Sequence, residues 1–372
     1  MKDVLSDLDA WTAAGIDAAV ATVVGVRRSA PRPPGSKMVV SAEGLIAGAV
    51  SGGCVEGSVV SVADEILAGG PPQLLDFGIA DEEAWEVGLP CGGEITVWVS
   101  RFEDGPSRAF ADAARRDERA ALVTRLTGPD AGATLLLRAD GRRQGRLANE
   151  ALDAAVVARA EDLMWRGRSE LQEIGDERLF IDVTAPAPRL MIIGAVDWAV
   201  SLCEVARTAG WRPSVIDPRS RFARPDRFPA AERVVSAWPA EAIAELGGID
   251  RATSIVALTH DPKLDDAALL LALASPAAYI GAMGSRVAQE GRRERLLEAG
   301  VSESDLQRIA APIGLDLGAH SAGQTAVSIM GEIIALANGR RGGRLADGHG
   351  RIHAGAPEPV PQSLTSNERT AP

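Results

Sequence analysis

Cys54 lies in a glycine-rich stretch where a thiol could do chemistry. Residues 48–57 read GAVSGGCVEG, with short strand-like runs before them and helical spacing of apolar residues after them, from Val55 to Leu67. Glycines at such a strand-to-helix junction let the backbone approach a ligand closely. A thiol at the start of a helix is a better nucleophile or soft-metal ligand than a buried one, although an isolated cysteine is as often a small core residue. The residues of this candidate site are Gly52, Gly53, Cys54 and Glu56.

A second cysteine, Cys91, has the same setting. Residues 88–93 read GLPCGG, so Cys91 directly precedes the paired glycines Gly92 and Gly93, and a strand-like run follows. We therefore expect Cys54 and Cys91 to lie close together as sulfur carriers or metal ligands, with Gly92 and Gly93 contacting the same ligand. The third cysteine, Cys203, lies in a helix-like run and should be buried.

A proline-rich stretch precedes both cysteine loops. Residues 29–38 read SAPRPPGSKM, and the prolines exclude regular structure there. We expect this stretch to bring Lys37 to the end of the sheet that carries Cys54, although such a segment alone is more typical of a surface hairpin. Together the three motifs resemble the XdhC/CoxI family, the maturation factors of molybdenum hydroxylases such as xanthine dehydrogenase. The resemblance implies that Lys37 contacts the cofactor.

Functional side chains also follow two predicted strands in the second half of the chain. Residues 258–263 read LTHDPK and residues 278–286 read AYIGAMGSR, so both motifs lie at the carboxyl end of a strand, where open α/β sheets bind ligands. A glycine turn followed by serine and arginine at a helix start suits an anion. Both motifs resemble motifs of the same family. The candidate cofactor-binding residues are His260, Asp261, Lys263, Gly281, Gly284, Ser285 and Arg286.

A glycine turn at Gly194 and an acid at Asp217 predict a Rossmann unit. An apolar strand runs into Gly194, a helix-like run follows, and the next strand ends on Asp217 about 20 residues later. Val196 stands where the dinucleotide fingerprint has glycine, and Asp197 adds a negative charge, so we expect NAD(P) to bind weakly or not at all. Gly194 and Asp217 remain candidate cofactor-binding residues, with a plain strand-end turn as the equal alternative for Asp217.

The order of elements predicts an α/β protein with two domains. Residues 1–185 read as a mixed α+β domain that carries the cysteine loops, and an alanine-proline break follows them. Residues 189–338 alternate strands and helices, which predicts a Rossmann-like, doubly wound parallel sheet. Residues 339–372 are rich in Gly, Arg and Pro and read as a disordered tail. The family resemblance covers roughly residues 10 to 338.

Composition excludes several kinds of partner. The net charge of −12 argues against binding to nucleic acid or to anionic membranes, because proteins that bind them present basic surfaces. Three cysteines, an odd number, do not form a disulfide framework and fit a reducing compartment. The N-terminal residues lack an apolar signal core, and no apolar run approaches the roughly 18 residues of a membrane span. We therefore expect a cytoplasmic protein.

The resemblance implies a cofactor chaperone. Such a protein binds molybdenum cofactor of the molybdopterin type transiently, supports its sulfuration, and passes it to an apo molybdenum hydroxylase, with a cysteine desulfurase as a further partner. We also expect a homodimer and a site that needs both domains. No residue set resembles a complete enzyme or a dedicated metal site. The alternatives are an NAD(P)-dependent oxidoreductase that uses the Rossmann-like domain and a thiol oxidoreductase, which would need a C-x-x-C pair.

Overall fold

The protein consists of two compact units. The structure, a computed structural model, describes residues 1–27, 32–78 and 93–347. The chain divides between Ala185 and Pro186 into a first unit and a second unit. Cys91, Gly92 and the two histidines of the tail, His349 and His353, lie outside the described residues.

The first unit contains two antiparallel sheets. The strands of the first sheet are β1 (Ala18–Arg27), β2 (Lys37–Ser41), β3 (Ile46–Gly48), β4 (Gln73–Phe77) and β5 (Glu94–Arg101). They lie in the order β3-β2-β1-β5-β4. The strands of the second sheet are β6 (Ala120–Arg125), β7 (Thr134–Arg138), β8 (Arg143–Gly145), β9 (Glu170–Ile174) and β10 (Glu177–Thr184). These lie in the order β8-β7-β6-β10-β9. The helices of this unit are α1 (Leu5–Ala13), α2 (Glu56–Leu67), α3 (Pro106–Arg115) and α4 (Glu150–Arg166).

Helix α2 packs on one face of the first sheet because its apolar residues recur at helical spacing. Val59, Ala63 and Ile66 are buried on one side of α2, where they contact Met38 and Val40 of β2. Side chains alternate between the two faces of a strand, so the other residues of β2 point away from α2. Lys37 is one of them.

Lys37 forms a buried ion pair that joins the two sheets of the first unit. Its ammonium lies 2.6 Å from Oδ2 of Asp182 in β10 and donates a hydrogen bond of 2.9 Å to Oγ1 of Thr22. Only 4% of the Lys37 side chain and 6% of the Asp182 side chain are exposed. Lys37 lies at the end of the sheet from which the cysteine loop leaves, as expected, because its carbonyl accepts the N–H of Ala49 at 3.1 Å, but its side chain is buried in this ion pair. A role for Lys37 in cofactor binding stays a prediction, and that role requires this pair to break.

The second unit is a parallel, doubly wound sheet, which confirms the predicted Rossmann-like fold. Its strands are β11 (Arg189–Ile193), β12 (Arg212–Ile216), β13 (Arg233–Val235), β14 (Thr253–Ala257), β15 (Tyr279–Ala282) and β16 (Ile309–Ala310). They lie in the order β13-β12-β11-β14-β15-β16. The order of connection reverses between β11 and β14, and open α/β sheets bind ligands at such a point.

Helices cover both faces of this sheet. They are α5 (Asp197–Thr208), α6 (Pro239–Glu245), α7 (Pro262–Leu273), α8 (Arg286–Glu298), α9 (Glu303–Leu306) and α10 (Ala322–Ala337). One core lies under α5 and α10 and includes Cys203, which is fully buried as predicted. Tyr279 of β15 donates a hydrogen bond from its hydroxyl to Glu332 of α10, which also accepts the N–H of Gly314 at 2.9 Å. Within the described part of the chain, no helix combines the length and the apolar character that a membrane crossing requires.

Removal of the Asp182 charge should destabilise the first unit. In Asp182→Asn, the ammonium of Lys37 keeps its burial and loses its counter-ion, which costs about 3–5 kcal/mol in the free energy of unfolding. Urea unfolding, with hydrogen exchange of first-unit peptides to localise the effect, measures this cost. Glu118→Gln is the matched control, because it removes one partner of the exposed Arg116–Glu118 pair and should leave the unfolding midpoint unchanged. Equal midpoints for Asp182→Asn and the control would contradict the prediction.

Candidate functional site

The cysteine loop joins β3 to α2, as its sequence predicts. Strand β3 ends at Gly48, and α2 begins at Glu56 with Val55 as its N-cap residue. Gly52 and Gly53 have φ values of +106° and +119°, which other residues rarely adopt, and both are exposed. The two glycines therefore allow the sharp turn by which the chain enters the helix.

The carboxylate of Glu56 occupies the centre of this loop. It accepts a hydrogen bond of 2.6 Å from the hydroxyl of Ser51. It also accepts, at 2.8–3.2 Å, the backbone N–H groups of Val50, Ser51, Gly52, Gly53 and Val55. Partial burial alone would raise the pKa of Glu56, but the hydrogen bonds from Ser51 and the loop amides outweigh it and lower the pKa to about 2. The Glu56 carboxylate is therefore the internal hydrogen-bond acceptor that holds the loop together.

Cys54 is held by the same network. Its N–H donates to Oγ of Ser51 at 3.1 Å, and its half-buried side chain packs against the core beneath α2. Its thiol is free. The N–H groups of Gly52 and Gly53 are not open to a ligand, because Glu56 accepts both. Direct ligand contacts by Gly52, Gly53 and Glu56 stay predictions that require the carboxylate to leave.

The second cysteine loop cannot be compared with the first. Cys91 and Gly92 lie outside the described residues, and Gly93, where the description resumes, is buried just before β5. The predicted proximity of Cys54 and Cys91 and the ligand contacts of Gly92 and Gly93 therefore stay predictions. Among residues 1–27, 32–78 and 93–347, no group of three or more His, Cys, Asp or Glu side chains is placed to hold a metal ion.

In the second unit, the turn after β11 requires glycine for packing. Gly194 has a φ of +111°, and a Cβ atom there would lie 2.3 Å from Cγ2 of Thr259. The glycine thus lets the first turn of the sheet approach the loop after β14. Val196 is the N-cap residue of α5, and its half-buried side chain packs against the core. Asp197 pairs with Arg227 at 3.1 Å, which offsets the repulsion expected from its charge.

Asp217 is fully buried at the end of β12, and both of its oxygens are occupied. Oδ1 accepts the backbone N–H and the Nε–H of Arg219, each at 2.9 Å. Oδ2 accepts the N–H of Ala195 at 2.9 Å and Nη2 of Arg219 at 2.7 Å. Burial opposes the charged form, yet these bonds lower the pKa of Asp217 below its ordinary value. The carboxylate can accept ribose hydroxyls only by giving up one of these bonds, which favours the strand-end turn.

A buried ion pair holds the loops after β14 and β15. Asp265 accepts hydrogen bonds from the hydroxyl of Thr259 at 2.6 Å and from the N–H of His260 at 2.9 Å. Asp265 also pairs at 3.3 Å with Arg292, which donates to the carbonyl of Met283 at 3.2 Å. His260 thereby keeps a left-handed backbone with a φ of +63°, a conformation that non-glycine residues seldom adopt.

The two loops bring several predicted residues together. A Cβ atom added to Gly284 would lie 3.6 Å from Nδ1 of His260, so the imidazole lies beside the glycine turn after β15. Ser285 caps α8 by accepting the N–H of Ala288 at 3.2 Å. Asp261 caps α7 by accepting the N–H of Lys263 at 3.0 Å. The exposed predicted residues of this cluster are His260, Asp261, Lys263, Ser285 and Arg286.

Gly281 does not belong to this cluster. It lies inside β15 and is buried, and a Cβ atom there would lie 2.4 Å from Cδ1 of Ile313. The glycine turn expected before Ser285 and Arg286 comes three residues later, at Gly284, with a φ of +141°. Gly281 makes room for a packed side chain, and no loop exposes it to a ligand.

The chain belongs to the XdhC/CoxI family. Residues 11–78 match the family model described as the XdhC and CoxI family, and residues 190–333 match the model of the XdhC Rossmann domain. The chain is 27% identical over 331 residues to a probable xanthine dehydrogenase subunit of Bacillus subtilis (strain 168), across 88% of this chain and 95% of that protein. It is 26% identical over 324 residues to the molybdenum cofactor insertion chaperone PaoD of Escherichia coli (strain K12), across 87% and 84%.

The fold also matches a solved structure. The crystal structure of a xanthine dehydrogenase from Bacillus halodurans superposes with a TM-score of 0.59, covering 92% of this chain and 97% of that one. The sequence identity is 21%, so this likeness concerns the fold alone.

Glu56→Gln should destabilise the first unit near neutral pH. The amide cannot accept bonds from all the loop donors and turns N–H groups of its own toward them, so we expect a loss of about 1.5–3 kcal/mol in the free energy of unfolding. The native stabilisation is present above the ordinary pKa of 4.5 and is lost as the pH falls toward 2. Urea unfolding at pH 7 and at pH 3 measures the difference, which should shrink at pH 3.

A matched variant on the same helix tests this interpretation. Glu65 of α2 is exposed and accepts one bond, from Gln73 at 3.1 Å. Glu65→Gln should therefore leave the free energy of unfolding nearly unchanged at both pH values. A Glu56→Gln protein as stable as this control at pH 7 would contradict the role of Glu56.

NAD(H) should bind weakly or not at all. The acid that would receive the ribose hydroxyls, Asp217, already accepts four hydrogen bonds. Each ribose contact must displace one of them, so little free energy is gained. Isothermal titration calorimetry of the full chain measures this, and a micromolar dissociation constant for NAD(H) would refute the prediction.

Proposed function

We propose that the protein is a maturation factor that holds molybdenum cofactor of the molybdopterin type, supports its sulfuration and passes it to an apo molybdenum hydroxylase of the xanthine dehydrogenase type. The observation that carries the proposal is the free, half-buried thiol of Cys54 in a loop fixed by Glu56, within the segment that matches the family model. The relative named as a molybdenum cofactor insertion chaperone supports the same role.

The chemistry of the donors fits this cargo. A thiolate is a soft ligand of the kind that binds sulfur-rich metal centres, so Cys54 can act as a metal ligand or as a sulfur carrier. The amides beside it are held by Glu56, so the cofactor phosphate needs other partners. Within the second unit, the exposed cations Lys263 and Arg286 have the charge to bind an anion.

Partners and location follow from the same reasoning. A cysteine desulfurase would supply the sulfur, and the apo hydroxylase would receive the cofactor. The free thiols of Cys54 and Cys203 favour a reducing compartment, so we propose the cytoplasm. We also propose a homodimer, because most soluble oligomers are symmetric dimers.

An NAD(P)-dependent oxidoreductase is the second candidate. The strand order of the second unit favours it, because this order is that of dinucleotide-binding domains. The four bonds to Asp217 count against it.

Cys54→Ala should abolish activation of the partner hydroxylase, because the thiol that would bind metal or carry sulfur is lost. The fold should stay intact, because only a small loop side chain is removed. The measurement is hydroxylase activity after co-expression with the variant. Cys203→Ala is the matched control and should preserve activation. Burial, assisted by the charge of Glu204, raises the pKa of Cys203 to about 12, so this thiol is unreactive at neutral pH.

Thiol labelling at neutral pH provides a second readout. Peptide-resolved alkylation should modify Cys54 faster than Cys203, which is fully buried. Full activation by Cys54→Ala, or faster labelling of Cys203, would contradict the assignment of Cys54.

A further inference from the structure

Arg219 is a fixed arginine at the carboxyl end of β12. Its Nε and Nη2 atoms donate to the two oxygens of buried Asp217, at 2.9 and 2.7 Å. Its guanidinium carbon lies 4.6 Å from the ring centroid of Phe222. Half of the Arg219 side chain is nevertheless exposed to solvent. A free surface arginine loses much rotamer entropy when it binds a ligand, and this one is already ordered.

The exposed part of this guanidinium has donors to spare. An arginine side chain carries five N–H bonds, and Asp217 receives two of them from Arg219. The other three have no acceptor among the described residues. Because the fork of an arginine matches the oxygens of a phosphate, a fixed arginine with free donors is suited to bind one.

Phe222 adds an exposed aromatic surface beside these donors. The ring is 46% exposed, which is uncommon for phenylalanine. Arg227 fixes the backbone around it by donating to the carbonyl of Phe222 at 3.0 Å and to that of Ala195 at 3.2 Å. The ring therefore stands on a rigid support next to the first turn of the sheet. The guanidinium carbons of Arg219 and Arg227 lie 4.6 and 5.8 Å from its centroid, so a planar group would stack on the part of the ring that they leave exposed.

The position in the sheet narrows the class of ligand. In a sheet of this order, the end of the second strand receives the ribose of a nucleotide, through an acid for a free diol or through an arginine for a phosphate. Asp217 is saturated, and Arg219 has free donors. We propose that the surface of Arg219 and Phe222 is a nucleotide subsite that binds a phosphate monoester and rejects a free ribose diol. The proposal goes beyond the cofactor chaperone function and is independent of Cys54.

Calorimetric titration of the full chain at low ionic strength tests the subsite. The probes are adenosine, 2′-AMP, 5′-AMP and inorganic phosphate. At least one monophosphate should bind with an affinity about tenfold higher than that of adenosine, or higher still, because charge-assisted hydrogen bonds to Arg219 are gained. It should also bind more tightly than inorganic phosphate, because the base stacks on Phe222. Preference for 2′-AMP identifies a phosphorylated ribose, and preference for 5′-AMP identifies a mononucleotide; either supports the proposal.

Three variants separate this subsite from general attraction of anions. Arg219→Lys keeps a cation beside buried Asp217, so the fold is retained, but it loses the fork and should weaken monophosphate binding about tenfold. Phe222→Leu keeps apolar bulk and should reduce the affinity of the nucleotides to that of inorganic phosphate. Arg224→Lys is the matched control, because Arg224 is exposed on the same loop and pairs with Asp226 at 2.6 Å.

The control should bind like the native chain. The proposal is overturned if Arg224→Lys weakens binding as much as Arg219→Lys. It is equally overturned if adenosine binds as tightly as the monophosphates, if inorganic phosphate matches both nucleotides, or if no probe binds.

Discussion

The hydrogen bonds between the Glu56 carboxylate and the backbone of residues 50–55 decide what the cysteine loop can do. Five amide N–H groups that converge on one point would attract any anion, and the chain satisfies them with its own side chain. The loop is thereby rigid before a ligand arrives, and Cys54 has a fixed backbone. Because these amides already donate to Glu56, they cannot also bind a phosphate. The loop can therefore be rigid or bind an external anion, but not both at once.

The second unit uses the same device twice at the carboxyl edge of its sheet. Asp217 fixes the turn after β11 and the loop after β12, while Asp265 fixes the loops after β14 and β15. Each carboxylate is buried, and each is matched by backbone N–H groups and one arginine. A buried charge is tolerated only when its hydrogen bonds are complete, so these loops cannot shift singly without a large cost. What remains adaptable is the exposed layer of side chains above them.

The sequence predicts the elements better than it predicts the contacts. The apolar runs around Gly194 and Asp217 predict the parallel sheet because their spacing is local, and the structure confirms that sheet. The sequence does not predict the ion pair that buries the Lys37 side chain, because its partner, Asp182, belongs to another sheet far along the chain. The burial of Glu56 among loop donors escapes prediction for the same kind of reason, since residue type shows that a carboxylate is present but not which donors fold around it. An acid at the first position of a helix, just after paired glycines, is the local signal for such a loop.

Tyr279 gives the second unit an optical property of its own. It is the one tyrosine of the sequence, and the hydrogen bond of its hydroxyl to Glu332 ties β15 to α10. Burial, together with this carboxylate, raises the pKa of Tyr279 far above its ordinary value of 10. The phenol therefore stays neutral in mild alkali while the sheet is intact and ionises when the sheet opens. Tyrosinate absorbance in alkaline solution thus follows the opening of the second unit alone, without a label and without interference from the first.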